Sequence, residues 1–332
     1  MVSAPGVAAV CEVDDPAARP GTVVVDVERV GVCGTDVEFF TGDMAYLRQG
    51  DATYPIRLGH EWCGIVSEVG SGVDPYWLGR RVTADTMLGC RRCRRCRDGR
   101  QHVCEDRYEI GIRRGWPGAL AEKVMVPAWA LHALPESVDV VAGAMVEPGG
   151  TALRAVEAAD LRPGMRAVVY GPGTIGLLTT RFALARGVEI HVVGLSGPAL
   201  EFASTLGVAG VWTADELPRM PYDAVIDATN AAGIPPAALD LVEPGRRIVY
   251  IGLASAPSTI DTRTVLKDVT AVGILSASPG LGGAIEHYAC GLVDPHPLVA
   301  ATVGLDEVGD VLAGRRPPGA GQGPKIHVDP RR

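Results

Sequence analysis

No stretch of this 332-residue sequence approaches the roughly 18 consecutive apolar residues that a membrane-spanning helix requires, so no membrane span is expected. Basic charge is in deficit: 31 Lys and Arg face 39 Asp and Glu, for a formal charge of −8. That balance argues against a nucleic-acid-binding surface and says nothing about the fold. The first residues lack the basic and apolar regions of a secretory leader, so the expected location is the cytoplasm. The eight cysteines are not spread as a disulfide framework would spread them. Four fall within Cys90–Cys104, and without an export signal that clustering reads as metal before disulfide.

What is present describes a globular chain with a large core: 47% hydrophobic and 21% charged residues, long enough for two domains. Its first chemical signal is Leu58-Gly59-His60-Glu61-Trp62-Cys63-Gly64, followed by the alternating run Ile65–Val69. Neighbours in a regular strand point to opposite faces, so His60 and Glu61 reach one ion only if a glycine-flanked turn aims them. A His–Glu pair alone is weak, since most histidines are satisfied core or surface groups. Cys33, in Gly31-Val32-Cys33-Gly34-Thr35-Asp36, strengthens it. Thiolate, imidazole and carboxylate are the ligand types zinc accepts, and three protein ligands leave a fourth position open.

The second signal is Cys90-x2-Cys93-x2-Cys96-x7-Cys104. Four thiolates fill a zinc ion completely, which is the pattern of a structural site. The intervening Arg91, Arg92, Arg94, Arg95 and Arg97 read as solvated charge offsetting the thiolates, rather than as a nucleic-acid contact. Cys11, Cys63 and Cys290 have no partner pattern and read as ordinary buried thiols. His132, His191, His287, His296 and His327 read as structural, and His102 has no vacancy to fill in the four-cysteine site.

The third signal begins at Ala167-Val168-Val169-Tyr170, an apolar run of buried parallel-strand type. Gly171-Pro172-Gly173-Thr174-Ile175-Gly176 follows, then the apolar helix Leu177–Ala185. Strand, G-x-G-x-x-G and helix in that order is the context of a dinucleotide site, with the pyrophosphate on the helix N-terminus. Strands at 190–193, 224–226, 247–251 and 271–275 alternate with helices at 199–206 and 231–242, which predicts a doubly wound parallel sheet. Before this half, 22–27, 65–84 and 120–134 are strand-like, and a short helix is expected from Asp36 to Tyr46, capped by Thr35 or Asp36. Met145–Gly150 reads as a junction and Thr151–Ala159 as a helix. The tail offers a short helix at Leu305–Leu312 and a closing strand at Lys325–Val328.

Together these residues resemble the zinc-dependent medium-chain alcohol dehydrogenase family. Gly59-His60-Glu61-x2-Gly64-x5-Gly70-x2-Val73 matches its zinc signature, and the four-cysteine loop and fingerprint follow in the family's order. Glu147-Pro148 is similar to the polyol, sugar and threonine dehydrogenases, and Gly59-His60-Glu61-Trp62 is similar to aminocyclitol dehydrogenases. The resemblance implies a mainly β GroES-like catalytic domain (residues 1–150 and 277–332) around a Rossmann domain (151–276). It implies two zinc ions per chain. Cys33, His60, Glu61 and Glu147 would hold the catalytic zinc, and Cys90, Cys93, Cys96 and Cys104 the structural one. Thr35 would relay the substrate proton; Glu38 stands where many members carry a histidine, so the path beyond Thr35 is Glu38 or water. Hydride would pass between a secondary alcohol and NADP or NAD, held at Gly171, Gly173, Thr174, Ile175, Gly176, Gly194 and Ser196. Gly194 stands where an NAD-specific site places an acid, which favours NADP, although no Arg follows it. Arg181, Arg186 and Arg219 are the candidate phosphate partners from elsewhere, and Asp215 or Glu216 the candidate acids. The implied partners are a small alcohol or ketone and a second copy of the chain, as homodimer or homotetramer, with no nucleic acid and no membrane. The alternatives are an L-threonine-type or simple alcohol dehydrogenase, a zinc-free reductase, or a non-catalytic cofactor-binding protein on the same fold.

Overall fold

Two sheets organise the chain in the computed structural model, which describes residues 1–252, 257 and 262–332. The first opens with β1 (Thr22–Gly31), a valine-rich run whose β-branched side chains suit a pleated surface. It continues through β2 (Glu61–Val69), β3 (Arg81–Ala84), β4 (Lys123–Pro127) and β5 (Leu131–Ala133). The second sheet takes β6 (Arg166–Tyr170), β7 (Glu189–Val193), β8 (Gly210–Trp212), β9 (Tyr222–Asp227), β10 (Val242–Tyr250) and β11 (Thr270–Gly273). The chain then rejoins the first sheet with β12 (Val299–Val303) and β13 (Lys325–Val328). The principal helices are α1 (Gly34–Thr41), α2 (Val146–Ala158), α3 (Thr174–Ala185), α4 (Pro198–Ser204), α5 (Ile234–Leu241) and α6 (Leu281–Ala289).

The first sheet has the order β12-β13-β1-β2-β3-β5, with β4 paired to β1. Its pairings are antiparallel except β12 with β13. The second has the order β8-β7-β6-β9-β10-β11 and is parallel throughout. Counted from β6 this is 3-2-1-4-5-6, the doubly wound arrangement that the alternation of apolar strands and helices predicts. Its central stretches Ala167–Tyr170 and Ala224–Ile226 read as unbroken apolar runs because both of their faces are covered. Val169 joins a core with Leu153, Leu177 and Phe182, while its neighbour Val168 joins another with Tyr222, Val225 and Ile248.

The first long helix of this half begins earlier than the sequence suggests. Met145–Gly150 is a junction on its Pro and Gly content, yet α2 starts at Val146 and carries Glu147-Pro148-Gly149-Gly150 in its opening turns. Proline is tolerated there because first-turn N–H groups have no intrahelical partner. The glycines are there for packing. A Cβ on Gly149 would lie 2.1 Å from the Tyr288 hydroxyl, and one on Gly150 would lie 3.0 Å from the Ala277 carbonyl. The expected Asp36–Tyr46 helix is instead divided, since Gly42 (φ 88°) ends α1 and a separate turn runs over Ala45–Gln49. The three-residue β8 is too short for periodicity to mark it, and β12 (Val299-Ala300-Ala301-Thr302-Val303) is half-buried over most of its length without a clear alternation. No helix among the described residues is long and apolar enough to cross a membrane.

The reading of Gly149 gives a sign that intrinsic propensity does not. Helix propensity alone favours alanine over glycine by about 1 kcal/mol. Because the new methyl group meets the buried Tyr288 hydroxyl, Gly149→Ala is expected to destabilise the chain by about 1–3 kcal/mol in chemical denaturation.

Candidate active site

β1 ends at Gly31 and α1 starts at Gly34, so Cys33 sits where the chain turns from strand to helix. Glu61 is the first residue of β2 and registers opposite Gly31. The Cys33 sulfur, a His60 ring nitrogen and a Glu61 carboxylate oxygen lie within 4.8 Å of one another. His60 and Glu61 are buried. His60 precedes the strand, and Gly59 before it adopts φ 99°. That turn releases His60 from strand alternation and lets two adjacent side chains converge.

Close backbone contacts hold the turn. Ala119 and Leu120 donate to the carbonyls of Gly59 and Leu58 at 2.8 and 3.0 Å. A Cβ on Gly59 would lie 2.5 Å from the Leu120 nitrogen, and one on Gly118 would lie 2.1 Å from the Leu58 oxygen. Gly59 is therefore required both by its φ and by the segment crossing over it.

Three charged groups surround the triad. Asp36 accepts from the Cys33 N–H at 2.9 Å, and its other oxygen stands 3.6 Å from His60 Nδ1. The N-cap of α1 is thus Cys33, with Asp36 three residues inside, rather than Thr35 or Asp36. Burial works against a charged His60, but Asp36 and Cys33 outweigh it and hold its pKa well above the ordinary value. Lys325 from β13 donates to Glu61 at 2.5 Å and to the Val32 carbonyl at 2.9 Å, with both side chains almost fully buried. Glu147, in the first turn of α2, stands outside the three-ligand group. Burial first, then the Glu61 charge, push its pKa up to about 7 against the pull of His60.

The four-cysteine loop rises from a two-stranded stem, Met87–Leu88 against Tyr108–Glu109. All four sulfurs lie within 4.8 Å of one another, Cys90 to Cys96 at 4.0 Å and Cys93 to Cys104 at 3.8 Å. A tetrahedral ion with metal–sulfur bonds of ~2.3 Å places sulfurs about 3.8 Å apart, so the set fits zinc. Backbone N–H groups of Arg92 and Cys93 lower the Cys90 pKa to about 6, which favours the thiolate a metal needs. Arg91, Arg92, Arg94, Arg95 and Arg97 are all exposed.

At the end of β6, Gly171 adopts φ 97° and donates to the Val193 carbonyl. A Cβ on Gly176 would lie 1.9 Å from the Gly171 oxygen, so glycine is needed where α3 packs on the loop. Gly173, Thr174 and Ile175 form the opening of this helix, whose free N–H groups suit a pyrophosphate. Gly194 follows β7 directly, and a Cβ there would lie 2.7 Å from the Pro172 ring. Ser196 is exposed. Of the arginines considered for a 2′-phosphate, Arg186 pairs with Glu157, and Arg181 acts on Tyr288 and Asp294. Glu216, considered as a replacement acid, accepts from the Thr213 N–H and hydroxyl.

Residues 19–136 match the alcohol dehydrogenase GroES-like domain. The 2-dehydro-3-deoxy-L-galactonate 5-dehydrogenase of Pseudoalteromonas atlantica is 31% identical over 308 residues, covering 90% of this chain and 89% of that one. The chain belongs to the zinc-dependent medium-chain alcohol dehydrogenase family. An L-threonine 3-dehydrogenase of Rhizobium rhizogenes is 27% identical over 305 residues, covering 88% of this chain and 87% of its own. A zinc-binding dehydrogenase of Sinorhizobium meliloti 1021 bound to NADP superposes with a TM-score of 0.89 at 27% identity, over 99% of this chain and 98% of that one. The protein is accordingly a zinc-dependent oxidoreductase that uses a nicotinamide cofactor on a small alcohol.

Lys325 is the part of this site that its sequence surroundings do not announce. A closing strand accounts for Ile326 and Val328, and nothing local in it marks Lys325 as buried. Of the three cysteines read as buried thiols, Cys63 is buried, whereas Cys11 and Cys290 are exposed because their segments lie at the surface. Two outcomes are expected. Replacing Cys93 with Ser should release one of two zinc ions and lower Tm, measured by metal analysis and calorimetry. Lys325→Met should cost about 3–5 kcal/mol by leaving the Glu61 carboxylate buried without its partner, and Lys325→Arg should cost less.

Proposed function

We propose that this dehydrogenase interconverts a secondary alcohol of a polyol, sugar or aminocyclitol with its ketone. Residues 1–150 and 277–332 form the catalytic unit in this reading, and 151–276 the dinucleotide-binding unit. The observation that carries it is the convergence of Cys33, His60 and Glu61 behind a glycine-controlled turn. The relatives support the substrate class. One takes its name from reaction at position 5 of a sugar acid and another from position 3 of threonine, both secondary carbons.

Cys33, His60 and Glu61 would hold the catalytic zinc, with Glu147 approaching from α2 as a fourth ligand or through water. A bound zinc lowers the pKa of a hydroxyl it contacts, and the nicotinamide exchanges the hydride. Thr35 lies two residues beyond Cys33 on α1. No hydrogen bond of its hydroxyl is found among the described residues, which leaves it available to take the substrate proton. Asp36 and Lys325 keep the ligands aimed by holding the Cys33 backbone and the Glu61 carboxylate. The cofactor lies along Gly171–Gly176, and at its ribose end Gly194 presents no carboxylate to repel a 2′-phosphate. NADP is therefore accepted in this reading, with the exposed Ser196 as its proposed hydrogen-bond donor. We also propose a homodimer or homotetramer. The edge strand β11 and the neighbouring Val265 and Leu266, each more than 80% exposed, support it, since bare sheet edges are commonly covered.

The purified protein screened against polyols, amino sugars and aminocyclitols, with nicotinamide absorbance as readout, should turn over members of this class. Cys33→Ala should abolish turnover while circular dichroism stays native; full activity in that variant would sink the assignment. Glu147→Ala should lower activity or zinc retention ~10–100-fold. With one substrate, kcat/KM for NADP should equal or exceed that for NAD, and a strong NAD preference would point to Asp215 or Glu216.

A further inference from the structure

The segment that carries the chain from the parallel sheet back to the first sheet is held under constraint. It leaves β11 at Gly273 and runs to α6 at Leu281. Within it, Ser276 adopts φ 68°, a left-handed conformation that costs a non-glycine residue energy and persists only where its surroundings impose it. The surroundings are explicit. Arg154 of α2 donates to the carbonyls of Leu275, at 2.7 Å, and Ser276. A Cβ on Gly280 would lie 2.2 Å from the Gly150 oxygen, so the segment presses backbone to backbone on α2, one turn from Glu147.

The other clamp comes from the first sheet. Asp85 follows β3 and is 4% exposed. Its Oδ1 accepts from the Ser278 hydroxyl at 2.7 Å and from the Met87 N–H at 2.9 Å. Its Oδ2 accepts from the Gln101 side-chain amide at 2.8 Å. Gln101 lies inside the four-cysteine loop, and Gly89 packs between it and Cys96: a Cβ on Gly89 would touch the Cys96 sulfur at 2.7 Å and the Gln101 Cβ at 2.8 Å. One buried carboxylate therefore bonds the metal-binding loop with one oxygen and the connecting segment with the other.

That segment begins at the carboxyl ends of the parallel strands, which is where a dinucleotide binds in an open α/β sheet. We propose that Asp85 is a positioning residue that transmits the order of the four-cysteine loop to residues 274–280, so that this loop sets the affinity for the nicotinamide cofactor. The loop has no need to touch the cofactor. It fixes Gln101, Gln101 fixes Asp85, and Asp85 fixes the constrained segment through Ser278.

The test uses the zinc-loaded full chain. NADH and NADPH dissociation constants are measured by nicotinamide fluorescence, hydrogen exchange is followed at 274–280, and zinc is counted in every variant. Asp85→Ala should raise both dissociation constants about tenfold, within the usual range of coupling between sites, and speed exchange at 274–280 while two zinc ions remain. At saturating cofactor, kcat should change less than threefold, a split that general damage to the fold would not produce. Asp85→Asn should bind within twofold of the parent, because Gln101 can turn its amide to present oxygen to the new NH2. Gln101→Ala cuts only the loop arm and Ser278→Ala only the segment arm. Each should weaken binding, and the double variant should be no worse than the poorer single one. Unchanged cofactor affinity in Gln101→Ala, or effects of the two arms that multiply, would overturn the proposal. Should Asp85→Ala fail to fold, the two single-arm variants decide the matter.

Discussion

The Glu61–Lys325 ion pair is the interaction on which the rest of the molecule depends. It joins the first residue of β2 to the first residue of β13, 264 positions apart, at a depth where water reaches neither side chain. A carboxylate that close to a thiolate would repel it; the ammonium balances the pair and also ties down the Val32 carbonyl beside Cys33. Lysine is scarce in this chain, with Lys123, Lys267 and Lys325 its complete set. Almost all its positive charge is arginine on the surface, while one compact, strongly hydrated ammonium is committed to the interior. The first sheet thus includes the strand at Lys325–Val328, whose lysine holds both the Glu61 carboxylate and the Val32 carbonyl beside Cys33.

Around that pair the architecture follows from crowding. The His60 turn is reached by backbone that passes within van der Waals distance of Gly59 and Gly118. The opening of α2 is reached the same way through Gly149 and Gly150. In both places a candidate site residue, His60 or Glu147, sits next to residues with no side chain. Glycine there removes bulk so that a second segment can hold the functional residue from behind.

The sequence was most legible where chemistry forces a pattern. Cys90, Cys93, Cys96 and Cys104 recur at the short spacing of a four-thiolate loop, Gly171 adopts a positive φ, and Gly176 must be glycine for α3 to pack on the Gly171 carbonyl. The parallel sheet was legible because strands covered on both faces admit few polar residues. Glu147-Pro148-Gly149-Gly150 misled because Pro and Gly have two meanings, a break in structure or a tight contact, and only the position of Tyr288 and Ala277 separates them. Lys325 and Asp85 were not legible at all. Each acts on a partner far along the chain, and nothing local distinguishes a buried lysine or aspartate from a solvated one.

The contact between Gly194 and Pro172 has a consequence for substitution. The ribose end of a dinucleotide site is often pictured as open to change one residue at a time. Here the pyrrolidine ring of the fingerprint fills the volume that any side chain at position 194 would enter. A side chain at position 194 therefore requires Pro172, or the loop that carries it, to give way. Positions 172 and 194 are thus sterically coupled: a change at one is felt at the other before any effect on a bound ligand.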